Sequence, residues 1–261
     1  MYATERQELI ERLLLEEGRV AVVELSERFG VTTETVRRDL DALETAGALR
    51  RVHGGAVALE RVSTAEASVF ERTGLRADTK QRIAARALDV LGDGFRGSLY
   101  LDAGTTTAAV AQLLPARLSA TGGEAEVVTH SLTLAPALAA ADRVALTVVG
   151  GRIRGVTAAA VGAATVRSIE SLRPDIVFVG VNGVSAGFGL STPDPEEAAV
   201  KEAIVRAARR VVVVADSTKF QQESLVSFAP LDAVDVLVTD RAPDGELADA
   251  LASAGVEVVQ A

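Results

Sequence analysis

The chain has 261 residues, enough for two domains; hydrophobic residues make up 48% of it and aromatic residues only 3%. It contains no cysteine, which excludes disulfides, thiolate metal sites and cysteine nucleophiles, and two histidines make a histidine-based metal site improbable. The net charge of −9 argues against broad contact with nucleic acid, because such contact depends on basic side chains that neutralise phosphates.

Apolar runs in the chain are short, and none approaches the roughly 18–20 residues that a membrane span requires. The first residues, Met1 to Arg6, lack the basic segment and apolar core of a signal peptide. We therefore expect a cytoplasmic protein with no membrane segment.

Two helices are predicted near the start of the chain. Residues 4–17 form the first, and Gly18 ends it. Its buried side is marked by Leu9, Ile10, Leu13 and Leu14. The second helix covers about Val22 to Phe29, and Gly30 ends it.

The stretch from Val31 to Leu40 predicts a short turn and then a third helix. Its apolar stripe, at spacings i, i+4 and i+7, is formed by Val36, Leu40 and Leu43. Thr32 suits the N-cap, and Arg37 and Arg38 lie away from the stripe. Taken alone, an arginine pair on a helix is more often a solvated face than a DNA contact. The two helices in front of it favour a helix-turn-helix whose last member reads DNA.

A β-hairpin is predicted from Ala48 to Val57, with its turn at Gly54 and Gly55. Directly after a reading helix, such a hairpin is typical of a wing, and Arg50, Arg51 and His53 would then reach the DNA backbone. The alternative is an ordinary surface hairpin. Residues 1–57 hold eight arginines against eleven acidic residues. Few DNA contacts per subunit are therefore available, which favours a homo-oligomer, a dimer or tetramer, on repeated half-sites.

The string Val31–Leu40, then Leu43 and Gly47, then Arg51–Ala56, resembles the winged helix of DeoR-family transcriptional repressors. The resemblance implies a double-stranded DNA operator as partner, with the wing against phosphate. It also implies that the side chains facing DNA are those of Thr32, Thr33, Thr35, Arg37 and Arg38. Thr32 stands where the family usually has serine.

These patterns divide the chain into a DNA-binding domain (1–57), a linker (58–74) and an α/β domain (75–261). In the α/β domain, apolar runs alternate with helices, which predicts a mostly parallel sheet covered on both faces. The predicted strands are Leu99–Leu101, Val127–Thr129, Val144–Val149, Ile176–Val179, Val211–Ala215, Val236–Thr239 and Val256–Val259. The predicted helices include Thr79–Leu91, Glu196–Arg209 and Asp244–Ser253.

Polar and glycine residues cluster where these strands end, and ligands of parallel sheets bind at that edge. After the first strand come Asp102, Gly104 and the run Thr105, Thr106 and Thr107, which begins a helix. Hydroxyls beside the free N–H groups of a helix start suit an anion such as phosphate. Asp102 would accept hydrogen bonds from a sugar hydroxyl. The alternative is three threonines that merely cap and pack.

Two features of the α/β domain have ordinary explanations. Glu197 and Lys201 lie at i, i+4, and for that pair alone a surface salt bridge is the better interpretation. Lys80 is usually a solvated helix residue. Neither G-x-G-x-x-G after the first strand nor G-x-x-x-x-G-K-[ST] is present, so dinucleotide or ATP binding is not supported and we expect no cofactor.

The α/β domain also resembles the DeoR-family sensor domain. The similar segments are Lys80–Ala84, Leu101–Thr107, Gly150–Gly151, Glu197–Lys201 and Asp216–Phe220. The resemblance implies a fold related to ribose-5-phosphate isomerases and CoA transferases, and a phosphorylated sugar as effector. The effector contacts that it implies are Lys80, Asp102, Gly104, Thr105, Thr106, Thr107, Ser131, Arg152, Glu197, Lys201 and Lys219. His130 stands where the family commonly has asparagine, and Thr218 replaces a more usual serine.

The sequence leaves two main functions to weigh. The first is a repressor of sugar catabolism genes, without enzyme activity, whose DNA binding responds to a phosphorylated sugar. The second is a sugar-phosphate isomerase with a fused regulatory domain, because Asp102, Glu197 and Lys219 suit proton abstraction beside a phosphate. The pairing of the two halves favours the repressor. A pure protein-interaction module is a third and weaker interpretation.

Overall fold

The structure, a computed structural model, describes residues 3–45, 48–52, 54–58, 63–64 and 66–261, and the chain divides into two compact units, 1–62 and 63–261. In the first unit the elements are α1 (Ala3–Glu17), β1 (Arg19–Ala21), α2 (Val22–Phe29), α3 (Thr33–Thr45), β2 (Leu49–Val52) and β3 (Gly55–Ala58). Gly47, His53 and the side chain of Arg50 lie outside the described residues.

The first unit has the predicted helices and hairpin, packed around one small core. That core is built from Ile10, Leu13, Leu14, Val20, Val22, Leu25, Val36, Leu40, Leu43, Leu49 and Ala56. The αL conformation of Gly30, with φ 63°, ends α2 as predicted. The apolar stripe of α3 is buried, so its opposite face is left outward.

The hairpin carries a third strand that the sequence did not predict. The strand order is β1-β3-β2, and all pairs are antiparallel. Gly54 has φ 81° in the turn, while Gly55 is already paired with Ala21 of β1. A Cβ atom on Gly55 would lie 2.0 Å from the carbonyl oxygen of Val20. The two glycines therefore have different roles, since one allows the turn and the other allows β1 to approach.

The second unit begins with α4 (Val69–Thr73) and α5 (Ala77–Ala87). Its first half continues with β4 (Arg96–Leu101), α6 (Thr105–Thr121), β5 (Glu124–Thr129), α7 (Ala135–Ala139), β6 (Val144–Val148), β7 (Arg152–Arg154), β8 (Ala159–Val161) and α8 (Ala163–Glu170). Its second half has β9 (Ile176–Val179), β10 (Gly183–Ser185), β11 (Gly189–Thr192), α9 (Pro195–Ala207), β12 (Val211–Val214), β13 (Val226–Ala229), β14 (Val236–Thr239), α10 (Gly245–Ser253) and β15 (Glu257–Gln260). Short 3-10 turns cover Leu88–Leu91, Ser217–Lys219 and Leu231–Ala233.

Seven strands form the central sheet in the order β15-β14-β12-β9-β4-β5-β6, and every neighbouring pair is parallel. The predicted parallel sheet is thus confirmed strand by strand. Leu99 and Leu101 pack into the core on one face, and Tyr100, between them, packs into the core on the other. Helices cover both faces, which explains why the strands are apolar throughout.

The chain reverses its direction of travel across the sheet beside β4. It runs outward through β5 and β6, and then returns to the other side of β4 with β9. The carboxyl ends of β4 and β9 therefore form a topological switch point, where connecting segments leave in opposite directions and open a crevice.

The predicted linker, residues 58–74, differs from the observed division. The carbonyl oxygen of Ser63 accepts a hydrogen bond from the N–H of Leu225 at 2.9 Å, and the N–H of Val69 donates to Val156 at 2.7 Å. The later part of that stretch is therefore attached to the second unit, and it includes α4. Two small antiparallel groups of strands, β7-β8 and β10-β11-β13, were also not predicted.

Candidate functional site

The outward face of α3 carries the side chains predicted to meet DNA. Thr32 caps the helix as predicted, because its Oγ1 accepts from the N–H of Thr35 at 3.2 Å. The side chain of Arg38 is 80% exposed and that of Arg37 is 53% exposed. Arg37 Nη1 lies 3.7 Å and Arg38 Nε 3.9 Å from the Glu34 carboxylate. Water screens both of these ion pairs. The two arginines are thus available to a partner.

A buried ion pair that sequence reasoning missed holds α3 against α1. Arg6 Nε lies 2.5 Å from one carboxylate oxygen of Asp39, and its Nη2 lies 3.0 Å from the other. This hydrogen bonding raises the pKa of Arg6 and outweighs the effect of burial. Each residue lies on the apolar side of its own helix, Arg6 four positions before Ile10 and Asp39 three after Val36. The sequence could have indicated this ion pair, because the two opposite charges each lie on the apolar stripe of a helix.

Arg51 of the wing already has partners within the first unit. Its guanidinium donates to the Asp41 carboxylate and, at 3.2 Å, to the carbonyl oxygen of Arg37. Its backbone N–H donates to Glu44 at 2.7 Å. Because Arg37, Asp41 and Glu44 all lie on α3, Arg51 ties the wing to the reading helix.

At the switch point, Asp102 and Lys201 form a buried ion pair. Lys201 Nζ donates to the Asp102 carboxylate and, at 2.8 Å, to the carbonyl oxygen of Gly180. The N–H of Gly180 donates to the same oxygen, Asp102 Oδ2, at 2.9 Å. The other oxygen, Oδ1, is buried and accepts no hydrogen bond. A buried carboxylate oxygen without a donor is costly, so this oxygen is a place where a ligand can contribute.

His130 lies beside the free oxygen of Asp102. Its Nε2 is 3.8 Å from Oδ1, which is longer than a hydrogen bond, and its Nδ1 is 3.0 Å from the Tyr100 hydroxyl. Burial lowers the pKa of His130 to about 4, so the ring is neutral near pH 7. Burial also raises the pKa of Tyr100, which remains a phenol.

The segment between β4 and α6 is short, so the start of α6 follows closely after Asp102. Gly104 precedes the first turn, and the Thr107 hydroxyl donates to its carbonyl oxygen at 3.0 Å. Thr107 therefore stabilises the turn itself, as the packing alternative supposed. The first N–H groups of the helix have no partner within it and carry the positive end of its dipole. Thr105 and Thr106 flank those groups.

A second basic group lies at the ends of β12 and β14. Arg76 Nη2 lies 2.6 Å from Asp240, and Lys80 Nζ donates to the carbonyl oxygen of Arg72 at 2.6 Å. Burial lowers the pKa of Lys80 to about 8, although nearby Asp216 acts in the opposite direction. Burial by itself would raise the pKa of Asp216, but the charge of Lys219 and other contacts outweigh it, so that pKa is lowered.

Glu197 belongs to a third group, which includes residues from the start of the second unit. It accepts from the Thr157 hydroxyl and from Arg154 Nη1, at 3.1 Å for the latter. The same Arg154 nitrogen lies 2.7 Å from Glu66. Burial and the nearby charge of Glu66 raise the pKa of Glu197. The interpretation of Glu197 and Lys201 as a surface salt bridge is wrong, because both are buried and each has other partners.

The structure does not bring every predicted effector residue into these groups. Arg152 is 61% exposed and pairs with the exposed Glu196. Ser131 is buried, and its hydroxyl lies 3.0 Å from that of Thr133. Lysine occurs only at positions 80, 201 and 219 of the chain. This restriction distinguishes the three residues in the sequence, but it was not used to predict the site. Every other side chain that carries a positive charge at pH 7 is arginine.

A separate concavity of about 710 Å³ lies near the end of β13. Phe188, Phe228 and Leu231 line it, together with Glu202 and Asp232, and none of the predicted effector residues does. Its ionisable groups are both acidic, so it does not suit a phosphate. Among the described residues, no group of three or more histidine, aspartate or glutamate side chains is arranged to hold a metal ion. The same residues include no helix that is long and apolar enough to cross a membrane.

The fold and the strand-end groups define the class of protein: a winged helix-turn-helix DNA-binding unit joined to an α/β unit with a polar crevice. Family comparison gives the particular family. The model of the DeoR-like helix-turn-helix domain matches residues 6–62, and that of the DeoR C terminal sensor domain matches residues 75–241. The chain belongs to the DeoR family of transcriptional regulators.

Curated relatives match along nearly their whole length. The HTH-type transcriptional regulator GlpR of Haloferax volcanii is 36% identical, over 99% of this chain and 98% of the relative. The putative aga operon transcriptional repressor of Escherichia coli O157:H7 is 31% identical, over 98% and 93%. The glycerol-3-phosphate regulon repressor of Escherichia coli K12 is 30% identical, over 93% of each chain. These relatives are regulators and not enzymes, so the isomerase alternative is set aside.

Among solved structures, ribose 5-phosphate isomerase A from Methanocaldococcus jannaschii is similar over 55% of this chain and 54% of that one. The sequence identity is 17% and the TM-score is 0.41. A likeness at that level says nothing about activity.

Proposed function

We propose that this protein is a repressor whose affinity for its DNA operator changes when a phosphorylated sugar binds at the carboxyl edge of the central sheet. The observation that carries the proposal is the convergence of three lysines on that edge, of which Lys80 and Lys201 are buried. Lys201 reaches Asp102 and Gly180, at the ends of β4 and β9, and Lys80 and Lys219 lie near Asp216, at the end of β12. Fixed positive charge and free helix N–H groups together suit a phosphate.

The carboxylates at the same edge suit the rest of the ligand. Asp102, Glu197 and Asp216 are all buried and provide acceptors for hydroxyl groups. An anion alone would gain nothing from three acidic residues, whereas a polyhydroxylated anion uses both kinds of group. The name of one relative, the glycerol-3-phosphate regulon repressor, refers to a phosphorylated polyol and supports the same class of effector.

On the DNA side, we propose that Thr32, Thr33, Thr35, Arg37 and Arg38 contact the operator. The exposed arginines of α3 would enter the major groove, and the wing, with Arg50, Arg51 and His53, would lie along the backbone. The few basic side chains per subunit favour a dimer or tetramer on repeated half-sites. A switch from about 1% to about 99% operator occupancy needs roughly 5.5 kcal/mol of differential effector affinity, which several subunits can share.

The test is operator binding with and without effector. Fluorescence anisotropy on DNA from upstream of the chain's own gene would be measured with a panel of sugar phosphates and with the same sugars lacking phosphate. We expect one phosphorylated member to change the operator Kd while its unphosphorylated counterpart does not. Absence of specific DNA binding under every condition would refute the proposed function.

Two variants separate the two sites. Thr106→Ala should leave operator affinity intact and weaken the effector response, because it alters the start of α6. Arg38→Ala should do the reverse, with weaker operator binding and an unchanged effector Kd. A full effector response in Thr106→Ala would show that the start of α6 is not the phosphate site.

A further inference from the structure

We propose that His130 determines which effector is accepted, by donating from Nε2 to one effector hydroxyl that in turn donates to Asp102 Oδ1. This inference rests on the proposed function and concerns the same site. It identifies the chemical group that the site recognises beside the phosphate: a hydroxyl, with both a donor and an acceptor function.

The two neighbours of His130 determine its tautomer. The Tyr100 hydroxyl lies 3.0 Å from Nδ1, and the Asp102 carboxylate lies on the Nε2 side. A carboxylate only accepts, so the arrangement is favourable when Nε2 carries the proton. Nδ1 then accepts from Tyr100. Tyr100 is therefore a positioning residue, because its hydroxyl fixes the donor on the nitrogen that faces Asp102.

A gap separates His130 Nε2 from Asp102 Oδ1. Nε2 and Oδ1 are 3.8 Å apart, too far for a direct hydrogen bond. One oxygen atom at about 2.8 Å from each would bridge them with ordinary hydrogen-bond lengths. Oδ1 is buried and without a donor, whereas Oδ2 is already satisfied by Lys201 and Gly180. The unfilled position is therefore on the His130 side of the carboxylate.

His130 Nε2 and Asp102 Oδ1 together select for a hydroxyl group. A hydroxyl group accepts from Nε2 and donates to Oδ1, so it satisfies both. A carbonyl or phosphate oxygen only accepts, and it would meet the lone pairs of Oδ1. An ammonium group only donates, and it would meet the proton on Nε2. A deoxy analogue leaves both polar groups unpaired, which is the kind of mismatch that binding sites reject most strongly.

The experiment begins with the unaltered protein and identified probes. A thermal-shift screen of glucose 6-phosphate, fructose 6-phosphate, fructose 1-phosphate and glycerol 3-phosphate would select the strongest binder. Calorimetry would then compare that compound with its single-deoxy analogues, one hydroxyl at a time. We expect removal of one particular hydroxyl to raise Kd at least about tenfold, and removal of the others to cost less.

Substitutions then assign that preference to His130. His130→Asn keeps an N–H donor and His130→Leu, of similar size to asparagine, has none. We expect the hydroxyl-to-deoxy ratio to be partly kept in His130→Asn and to fall close to one in His130→Leu. Tyr100→Phe should lower the ratio as well, because the tautomer is no longer fixed. It provides a second measurement should His130→Leu fail to fold. A merely structural role would change melting temperature without changing this ratio.

The outcomes separate this inference from the proposed function. If no sugar phosphate binds or alters operator affinity, both are refuted. If a sugar phosphate binds but all its deoxy analogues bind equally well, the gap holds an ordered water only and the inference alone is refuted. The same holds if the preference persists unchanged in His130→Leu.

Discussion

In the DNA-binding unit Thr32, Arg37 and Arg38, which are proposed to meet DNA, are exposed, whereas in the sensor unit most of the residues proposed to meet the effector are buried. The Arg38 side chain is 80% exposed, while Asp102 is 0%, Lys201 5% and Lys80 7% exposed. The buried residues Asp102, Lys201 and Lys80 of the sensor unit already have partners, although Asp102 Oδ1 accepts no hydrogen bond. The outward face of α3 has weak, screened partners.

This difference indicates how each unit can respond to its partner. DNA can meet the exposed arginines without rearrangement of the unit that carries them. An effector must instead enter a network of existing ion pairs and hydrogen bonds, so its binding is coupled to their rearrangement. A ligand that exchanges partners in this way has the differential interaction with two states that regulation requires.

The largest expected effect tests whether the DNA-binding unit is preformed. Arg6→Met leaves the Asp39 carboxylate buried without its cation, and the loss of such a partner costs about 3–5 kcal/mol. We expect this loss in the free energy of unfolding of the first unit. Hydrogen exchange read peptide by peptide would measure it, with the second unit unchanged as an internal reference.

The matched control is the double variant Arg6→Met with Asp39→Leu, which replaces the pair by apolar side chains. We expect it to recover most of the lost stability, because an apolar pair often substitutes for a buried ion pair. A loss of less than about 1 kcal/mol in the single variant would show that Asp39 reaches water, and α3 would then not be fixed in this way.

How far the sequence predicts these features depends on the range of the interactions. The seven strands of the central sheet were predicted because each contains a short apolar run with a helix-forming segment on at least one side. The short strands β1, β7, β10 and β11 were missed because each has only three or four residues, too few to establish a pattern, and β10 and β11 also contain glycine, serine or threonine. β1 pairs with β3, far along the chain, whereas β7 and β10 pair in local hairpins with β8 and β11.

The candidate site shows the same limit. Asp102 and the start of α6 follow a strand directly, so their positions were predictable from the sheet. The partners of Asp102 were not, because Lys201 lies 99 residues away and approaches through α9. Glu66 was assigned to a linker, yet it shares Arg154 with Glu197. The restriction of lysine to positions 80, 201 and 219 is visible in the sequence and could have marked these three residues as members of the site.

A smaller effect tests the exposed surface. Arg38→Ala should weaken operator binding by about 1–3 kcal/mol and relax specificity at one base pair, if the side chain is bidentate to a guanine. Stability should hardly change, because the side chain is largely exposed. Anisotropy on a set of single-base operator variants would measure both the loss and the relaxed position.

The wing provides the contrast for that measurement. Arg51→Ala should weaken binding to all operator variants alike and lower the slope of log Kd against log salt by about one. Asp41→Asn should not weaken binding, because it removes a carboxylate that competes with phosphate for Arg51. Weaker binding by Asp41→Asn would indicate instead that the contact between Arg51 and α3 braces the wing.

The smallest expected effect is a pH dependence that belongs to the sensor unit. Burial lowers the pKa of Lys80 to about 8, so in the free protein this lysine loses its proton as the pH rises through 8. A bound phosphate favours the charged form and raises that pKa. Effector binding above pH 8 must therefore take up a proton, and the effector affinity should fall by up to about tenfold per pH unit until the pKa of the bound state is reached. Below pH 8 Lys80 contributes no such slope.

Calorimetry in buffers of different ionisation enthalpy would measure that proton uptake, and Lys80→Gln should abolish it. Because lysine occurs at only three positions, amine acylation followed by mass spectrometry reads the site directly. We expect the acylation rate of Lys80 to rise as the pH passes through about 8, which is lower than for an ordinary lysine, and to be reduced by the effector. A flat pH profile with unprotected Lys80 would place Lys80 outside the phosphate site, and the positive charge there would then come from Lys201 and Lys219.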